Sequence, residues 1–287
     1  MPNREACAAG RKLGCWRRIQ VANENDIALQ VIQLTDPHLR QEEDGTLLGM
    51  NTRRSLGAVL ELIQQDGHEP DLVVATGDIS QDGSEESYQC FQEYMGVFNC
   101  PVYWFLGNHD NNSAMVQITA GTEAMDRVVV RNGWKLIFLD SSVPQKVFGR
   151  LGKNELRLLE TELSRDPDLH TMICFHHHPI DIDSAWLDSI GLRNRDEFFE
   201  IVDRYSNVRL ILWGHIHQEL DRERNGVRLL ATPSTCIQFK PGSQQFAVDD
   251  AAPGYRWLNL MRDGSVETGV KRCEDFDFEV DLNSTGY

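Results

Sequence analysis

Five short apolar runs, each breaking off into a polar signature, constrain this chain more than any other feature. Ala28 to Thr35, Leu72 to Thr76, Val102 to Leu106, Thr171 to Phe175 and Val208 to Trp213 are rich in Val, Ile, Leu and aromatic residues. Near-continuous apolar runs of this length suit strands covered on both faces. Directly after them come Asp36-Pro37-His38, Gly77-Asp78, Gly107-Asn108-His109-Asp110, His176-His177-His178-Pro179 and Gly214-His215-Ile216-His217. Polar groups that emerge at strand carboxyl ends meet on the edge where open α/β sheets bind ligands.

Between these runs, apolar residues recur at helical spacing: Leu56, Val59, Leu60 and Ile63; Tyr88, Phe91, Met95 and Phe98; Leu156, Leu159 and Leu163. Asn194 to Glu197, ahead of Phe198, Phe199 and Val202, predicts a helix with an N-cap and a reciprocal acidic partner. Strand and helix in alternation give an α/β class. Asn132-Gly133, Asn225-Gly226 and Asp263-Gly264 each separate apolar-alternating segments, the signal for hairpins. The sheets are therefore expected to be mixed, with antiparallel additions toward the C-terminus.

The 287 residues, 41% hydrophobic and 25% charged, suffice for a full core. No Pro/Gly/Ser linker divides the chain, so residues 26–287 are read as one domain and residues 1–25, which lack periodicity, as a mobile extension. A formal charge of −16 disfavours a nucleic-acid backbone as partner and leaves a small substrate or a local cationic site open. The seven cysteines form no Cys-x-x-Cys pair, which points to a reducing compartment and no zinc ribbon. Neither a signal-peptide pattern nor an apolar segment near 20 residues is present, so a cytoplasmic protein without a membrane span is expected.

Taken singly, each polar signature also describes an ordinary turn; their joint order does not. Asp36 and His38, two apart in an extended segment, would point to one side and can share a metal. Asp78 stands at a sharp exit after a glycine, and its two oxygens can bridge two cations. Asn108 offers a neutral hard oxygen, while His109 can donate a proton, with the Asp110 carboxylate placed to orient its other nitrogen. Of the three adjacent histidines one can coordinate; three on one ion would be geometrically difficult. His215 and His217 again stand two apart. The oxygen and nitrogen donors suit iron, manganese or zinc, in contrast to a thiolate zinc site or an all-oxygen calcium site. Two divalent ions bring about +4, offset by about −3 from two carboxylates and a hydroxide, leaving a cationic pocket suited to a phosphate ester. Five of the six tryptophans, Trp104, Trp134, Trp186, Trp213 and Trp257, are read as core or interface, and Glu42, Glu43 and Asp44 as a solvated loop.

The order Asp-x-His, Gly-Asp, Gly-Asn-His-Asp, His-x-Pro and Gly-His-x-His resembles the calcineurin-like metallophosphoesterase superfamily. The segments LLGMNT (47–52), DLVVATGDISQD (71–82), SAWLDSIGLRN (184–194), GHIHQELD (214–221) and LLATPSTCIQFKP (229–241) are similar to its bacterial class III 3',5'-cyclic AMP phosphodiesterases. The resemblance implies two mixed β-sheets packed face to face and flanked by helices, a four-layer sandwich. It implies two divalent ions per chain, iron or manganese foremost and zinc compatible. Asp36, His38 and His217 would hold the first, Asn108, His177 and His215 the second, and Asp78 would bridge them. His177 is chosen over its neighbours because the family ligand stands two before the proline. His38, Asp78, Asn108, His109 and His217 would surround the nucleotide phosphate.

The implied reaction is hydrolysis of 3',5'-cyclic AMP to 5'-AMP by a metal-bridging hydroxide, with His109, supported by Asp110, protonating the departing oxygen. Segments 184–194 and 231–241 would select the substrate. The rival readings are a broad metallophosphoesterase acting on 2',3'-cyclic nucleotides or phosphomonoesters, and a metal-binding scaffold without turnover. Oligomeric state is not legible.

Overall fold

The computed structural model describes residues 26–286. The expectation of a mobile extension over residues 1–25 lies outside them. In chain order the elements are β1 (Ile27–Leu34), β2 (Thr46–Leu47), β3 (Met50–Asn51), α1 (Thr52–Gln65), β4 (Leu72–Ala75), α2 (Glu85–Met95), β5 (Val102–Trp104) and α3 (Asn112–Ile118). There follow β6 (Val128–Arg131), β7 (Trp134–Phe138), α4 (Lys153–Arg165), β8 (His170–Cys174), α5 (Ala185–Asp188), α6 (Arg195–Val202) and β9 (Val208–Trp213). The last are β10 (Leu220–Arg224), β11 (Val227–Ala231), β12 (Gln238–Phe239), β13 (Val248–Asp249), β14 (Gly254–Met261) and β15 (Val266–Arg272).

Two large sheets organise the chain, in the orders β15-β14-β1-β4-β5 and β10-β11-β9-β8-β7-β6. In the first, β1, β4 and β5 run parallel while β14 and β15 add antiparallel strands at the edge. In the second, β7, β8, β9 and β11 run parallel, with β6 and β10 antiparallel at the two edges. Both sheets are mixed, as the hairpin signals predicted. Asn132 and Gly133, and Asn225 and Gly226, all take positive φ, which fits the right-handed strand twist of a two-residue turn. The third hairpin differs: at Asp263-Gly264 only the glycine has positive φ, at 87°.

The layers follow from side-chain alternation. Leu29, Val31, Leu72, Val74, Tyr103 and Phe105 of the first sheet meet Trp134, Leu136, Phe138, Met172, Leu210 and Leu212 of the second in a buried inner core. The opposite face of the first sheet (Ile32, Leu34, Val73, Ala75) is covered by Leu56, Val59, Leu60 and Ile63 of α1 and Tyr88, Phe91 and Met95 of α2. That of the second (Ile137, Ile173, Ile211, Trp213) is covered by Leu159 and Leu163 of α4 and by Phe198, Phe199 and Val202 of α6. The result is the expected helix–sheet–sheet–helix sandwich.

α1 and α2 start on side-chain caps: Asn51 accepts from the Arg54 amide at 2.9 Å and Ser84 from that of Ser87 at 3.4 Å. α6 does not. Asn194 makes no cap bond there; its amide instead exchanges two bonds with the Leu151 backbone, at 3.0 and 2.9 Å. Its acidic partner Glu197 pairs with Arg150 at 3.2 Å.

Candidate metal centre

β1, β4 and β5 end side by side, as do β8 and β9, and all five polar signatures leave those carboxyl ends. The loops are then tied to one another. The Asp36 amide donates to Gly77 O at 3.1 Å, the His38 amide to Asp78 O at 3.0 Å, and the Gly214 amide to His176 O at 3.2 Å. These ties bend the backbone sharply: Asp36, His38, Asp78, His215 and His217 all have φ between 47° and 66°. Left-handed φ is uncommon for a residue with a Cβ and persists where the surroundings over-determine it. Asp36-His38 and His215-His217 are therefore not the extended segments expected, although Asp36 and His38 do share a cluster. Gly107 and Gly214 allow the loops their close approach, since a Cβ would lie 2.1 Å from Asp78 Oδ1 and from Thr35 Oγ1, respectively.

Two clusters of donor atoms result, each within 4.8 Å: Asp36, His38 and His217, and His176, His177 and His215; Asp78 shares further groups with His38 and His109 and with Asp36 and His176. In the first, His38 Nδ1 is held by Gln81 Oε1 at 2.6 Å and His217 Nδ1 by Ile237 O at 2.8 Å. Both partners accept, so each ring carries a proton on Nδ1 and presents its Nε2 to the cluster; the two Nε2 atoms lie 3.3 Å apart. Phe239 stacks on the His217 ring at 4.2 Å. In the second, His177 Nδ1 lies 2.8 Å from Ser141 Oγ.

Asn108 Oδ1, His177 Nε2 and His215 Nε2 are buried without a hydrogen-bond partner. Leaving such atoms unpaired costs about 1–3 kcal/mol each, and an acceptor oxygen with two imidazole nitrogens is a fitting donor set for a divalent cation. These three atoms belong to the residues the family resemblance assigns to a second metal.

The electrostatics follow from burial. It lowers His38 to about 3 and holds His177 and His215 well below the ordinary histidine range, so all three offer neutral rings. Burial alone would raise Asp36 and Asp78, but neighbouring imidazoles, His217 for the former and His176 for the latter, overcome it and keep both carboxylates ionised. His176, given no role from sequence, has Nδ1 2.8 Å from Thr76 O and Nε2 3.2 Å from both Asp78 Oδ2 and His215 Nδ1. Despite burial, Asp78 and Asp36 raise it to about 9. His178 stacks on His215, with ring centroids 5.7 Å apart.

His109 stands over the first cluster, its ring edge-on to His38 at 5.0 Å and its amide on Asp78 Oδ1 at 2.8 Å. Asp110 Oδ1 accepts from the Ser80 amide and the Tyr88 hydroxyl, both at 3.0 Å, and its Oδ2 from the amides of Gly107 at 2.9 Å and Ile79 at 3.3 Å. Through these four bonds Asp110 ties two ligand loops together. Burial and then the Asp78 charge raise it to about 6. Gln81, Ser141, Tyr88, Thr35 and His176 complete the surroundings. Only the histidine run signalled any of them.

The calcineurin-like phosphoesterase family matches residues 29–219, and the chain belongs to that family. It is 45% identical over 262 residues to the 3',5'-cyclic adenosine monophosphate phosphodiesterase CpdA of Pseudomonas aeruginosa, covering 91% of this chain and 96% of the relative. The protein of the same name from Escherichia coli K12 is 44% identical over 261 residues, covering 90% and 95%. Among solved structures, a dimetal phosphatase from Danio rerio shares the fold with a TM-score of 0.59 at 15% identity, covering 87% of this chain and all of that one. The purple acid phosphatase PPD1 of yellow lupin does so with a TM-score of 0.62 at 13% identity, covering 88% and 52%.

Proposed function

We propose that this chain hydrolyses 3',5'-cyclic AMP to 5'-AMP at a dinuclear centre holding iron or manganese, with zinc also compatible with the donors. The observation that carries this is the set of three buried, unpartnered atoms on Asn108, His177 and His215 beside the Asp36–His38–His217 cluster. The named relatives, similar over about nine-tenths of the chain, support the substrate.

Divalent ions in such a centre supply charge stabilisation on phosphoryl oxygens and water activated near neutral pH. Asp36, His38 and His217 would hold one ion, Asn108, His177 and His215 the other, with Asp78 between them. His38, Asp78, Asn108, His109 and His217 would border the phosphate. Water adds to phosphorus, the bond to the 3' oxygen breaks, and His109 delivers the proton that oxygen needs. Asp110 serves by holding the loops of Asp78 and Asn108 in register.

The same proposal takes residues 26–287 as one catalytic unit, supported by the way β14 and β15 extend the sheet that carries β1. A cytoplasmic setting is supported by the free thiols of Cys90, Cys100, Cys174, Cys236 and Cys273. No helix among the described residues is long and apolar enough to cross a membrane. Nucleic acid is not proposed as a partner of a chain with net charge −16.

The test is chromatographic product analysis with Mn(II)- or Fe(II)-loaded protein on 3',5'-cyclic AMP, 2',3'-cyclic AMP and an aryl phosphate, with Asn108→Ala as control. We expect 5'-AMP to dominate and to vanish in the variant. Turnover of another ester without 5'-AMP would discard the substrate, and metal uptake without turnover would favour a scaffold.

A further inference from the structure

Between the two sheets, where the inner core should be apolar, lies a fully buried arginine. Arg256 of β14 is 1% exposed and bonds only neutral oxygens: Nε to Thr232 Oγ1 at 3.1 Å, Nη1 to Thr268 Oγ1 at 3.2 Å, and Nη2 to the carbonyls of Ala231 at 2.8 Å and Leu220 at 3.4 Å. Burial outweighs the charges of Glu219 and Asp221 and lowers its pKa to about 10, so a buried cation hydrogen-bonded only to neutral oxygens is costly and what it serves needs an explanation.

Its contact with Thr232 begins an unbroken run of buried hydrogen bonds. Thr232 Oγ1 bonds Gln33 Oε1; Gln33 Nε2 bonds Thr76 Oγ1 at 2.9 Å; Thr76 Oγ1 bonds Thr35 Oγ1 at 2.6 Å; and Thr35 Oγ1 bonds Asp36 Oδ2 at 2.5 Å. Gln33, Thr35, Asp36, Thr76 and Thr232 are all 0% exposed. Gln33 lies opposite Arg256 in the β1–β14 register.

Both ends fix the direction of every bond. A guanidinium only donates and an ionised carboxylate only accepts. Gln33 Nε2 also donates to Trp213 O at 3.0 Å, which sets the amide orientation and leaves Oε1 to accept from Thr232. Each proton therefore points from Arg256 toward Asp36, and bonds aligned in one direction polarise one another in a dry interior. The last of them holds Asp36 Oδ2, leaving Oδ1 facing His217 Nε2 at 3.4 Å.

We propose that Arg256 is a positioning residue for the metal ligand Asp36, acting across the sandwich through Thr232, Gln33, Thr76 and Thr35. This rests on the metal-centre reading above and not on the identity of the substrate.

The test measures Mn(II) affinity of the full-length protein by calorimetry, following the binding that Asp36→Asn removes, with thermal unfolding as a check on folding. Thr35→Val should weaken that binding about 10–100-fold, the usual effect of losing a ligand's supporting partner. Arg256→Met and Thr232→Val, further along the run, should each weaken it about 3–10-fold, and Thr232→Ser should restore it. Arg256→Met should add nothing in a Thr35→Val background, because the run is already cut. Should Arg256→Met fail to fold, Thr232→Val and Thr232→Ser carry the test. Wild-type Mn(II) affinity in Thr232→Val, or losses that simply add in the double variant, would overturn the proposal. Mn(II) binding without hydrolysis of cyclic AMP would sink the substrate while leaving it standing; a wild-type protein that binds no Mn(II) would sink both.

Discussion

The Ser141 hydroxyl lies 2.8 Å from Nδ1 of His177 and 3.3 Å from its backbone nitrogen. It accepts from the amide, and in the tautomer that carries the ring proton on Nδ1 it accepts from the ring as well, which leaves the buried Nε2 bare for a cation. Ser141→Ala removes that constraint without touching the ligand. We expect Mn(II) affinity to fall about 10–100-fold, with activity regained at high Mn(II), whereas His177→Ala should not be rescued by metal. Activity titrated against Mn(II) for the two variants checks this; unchanged affinity in Ser141→Ala would mean the ring is held by its neighbours alone.

Asp110 offers a sharper distinction. If it ties loops, Asp110→Asn leaves at least one buried donor facing an amide NH2, at a cost of about 1–3 kcal/mol for each stranded group. Hydrogen exchange at the amides of Ile79, Ser80 and Gly107 should quicken, and metal affinity should weaken through Asp78 and Asn108. The shape of the pH–rate profile at saturating Mn(II) should be kept. A displaced profile with unchanged exchange would return Asp110 to the role of orienting His109.

The parts of this centre written in consecutive residues were legible in the sequence. An apolar run ending in Gly-Asp or Gly-Asn-His-Asp reports both the strand and its exit, and five such exits imply a shared edge. What was not legible depends on partners brought together by folding. Gln33 and Thr232 are 199 positions apart, and neither carries a local signal of the bond between them. Asp36 and His38 look extended because nothing nearby reveals that their amides are pinned to Gly77 and Asp78, which forces positive φ. Asn194 satisfies the local pattern of a cap, yet tertiary bonds to Leu151 take its side chain. Asp110 follows His109 in sequence, but its carboxylate turns toward the β4 exit.

At the far edge of the second sheet, Arg228 grips Asp221 with two bonds, Nε to Oδ1 at 2.9 Å and Nη2 to Oδ2 at 2.6 Å. The Arg228 bonds outweigh partial burial and lower the Asp221 pKa below its ordinary value. A carboxylate whose folded pKa is depressed stabilises the fold above its unfolded value near 3.8 and loses that stabilisation as pH falls through the lower, folded value. The pair is half exposed, so its worth is about 0.2–1 kcal/mol. Urea unfolding of the wild type and Asp221→Asn should differ by that amount at pH 6 and converge as the pH falls through the lowered, folded value. A difference that persists in acid would assign it to packing of the hairpin.

His109 is the group whose removal separates proton transfer from metal binding. Its imidazole also lies within reach of His38 and Asp78 as a potential third donor, so loss of activity in His109→Ala would not by itself identify a proton donor. Two further measurements do. As a proton donor, His109 can be removed with the metal content of the protein unchanged, while kcat on 3',5'-cyclic AMP falls about 10²–10⁴-fold. The loss should shrink on bis(p-nitrophenyl) phosphate, whose nitrophenolate leaves without being protonated, because the variant then lacks help the reaction did not need. Equal losses on both substrates with metal retained would make His109 a stabiliser of phosphoryl charge, and loss of one metal equivalent would make it a ligand.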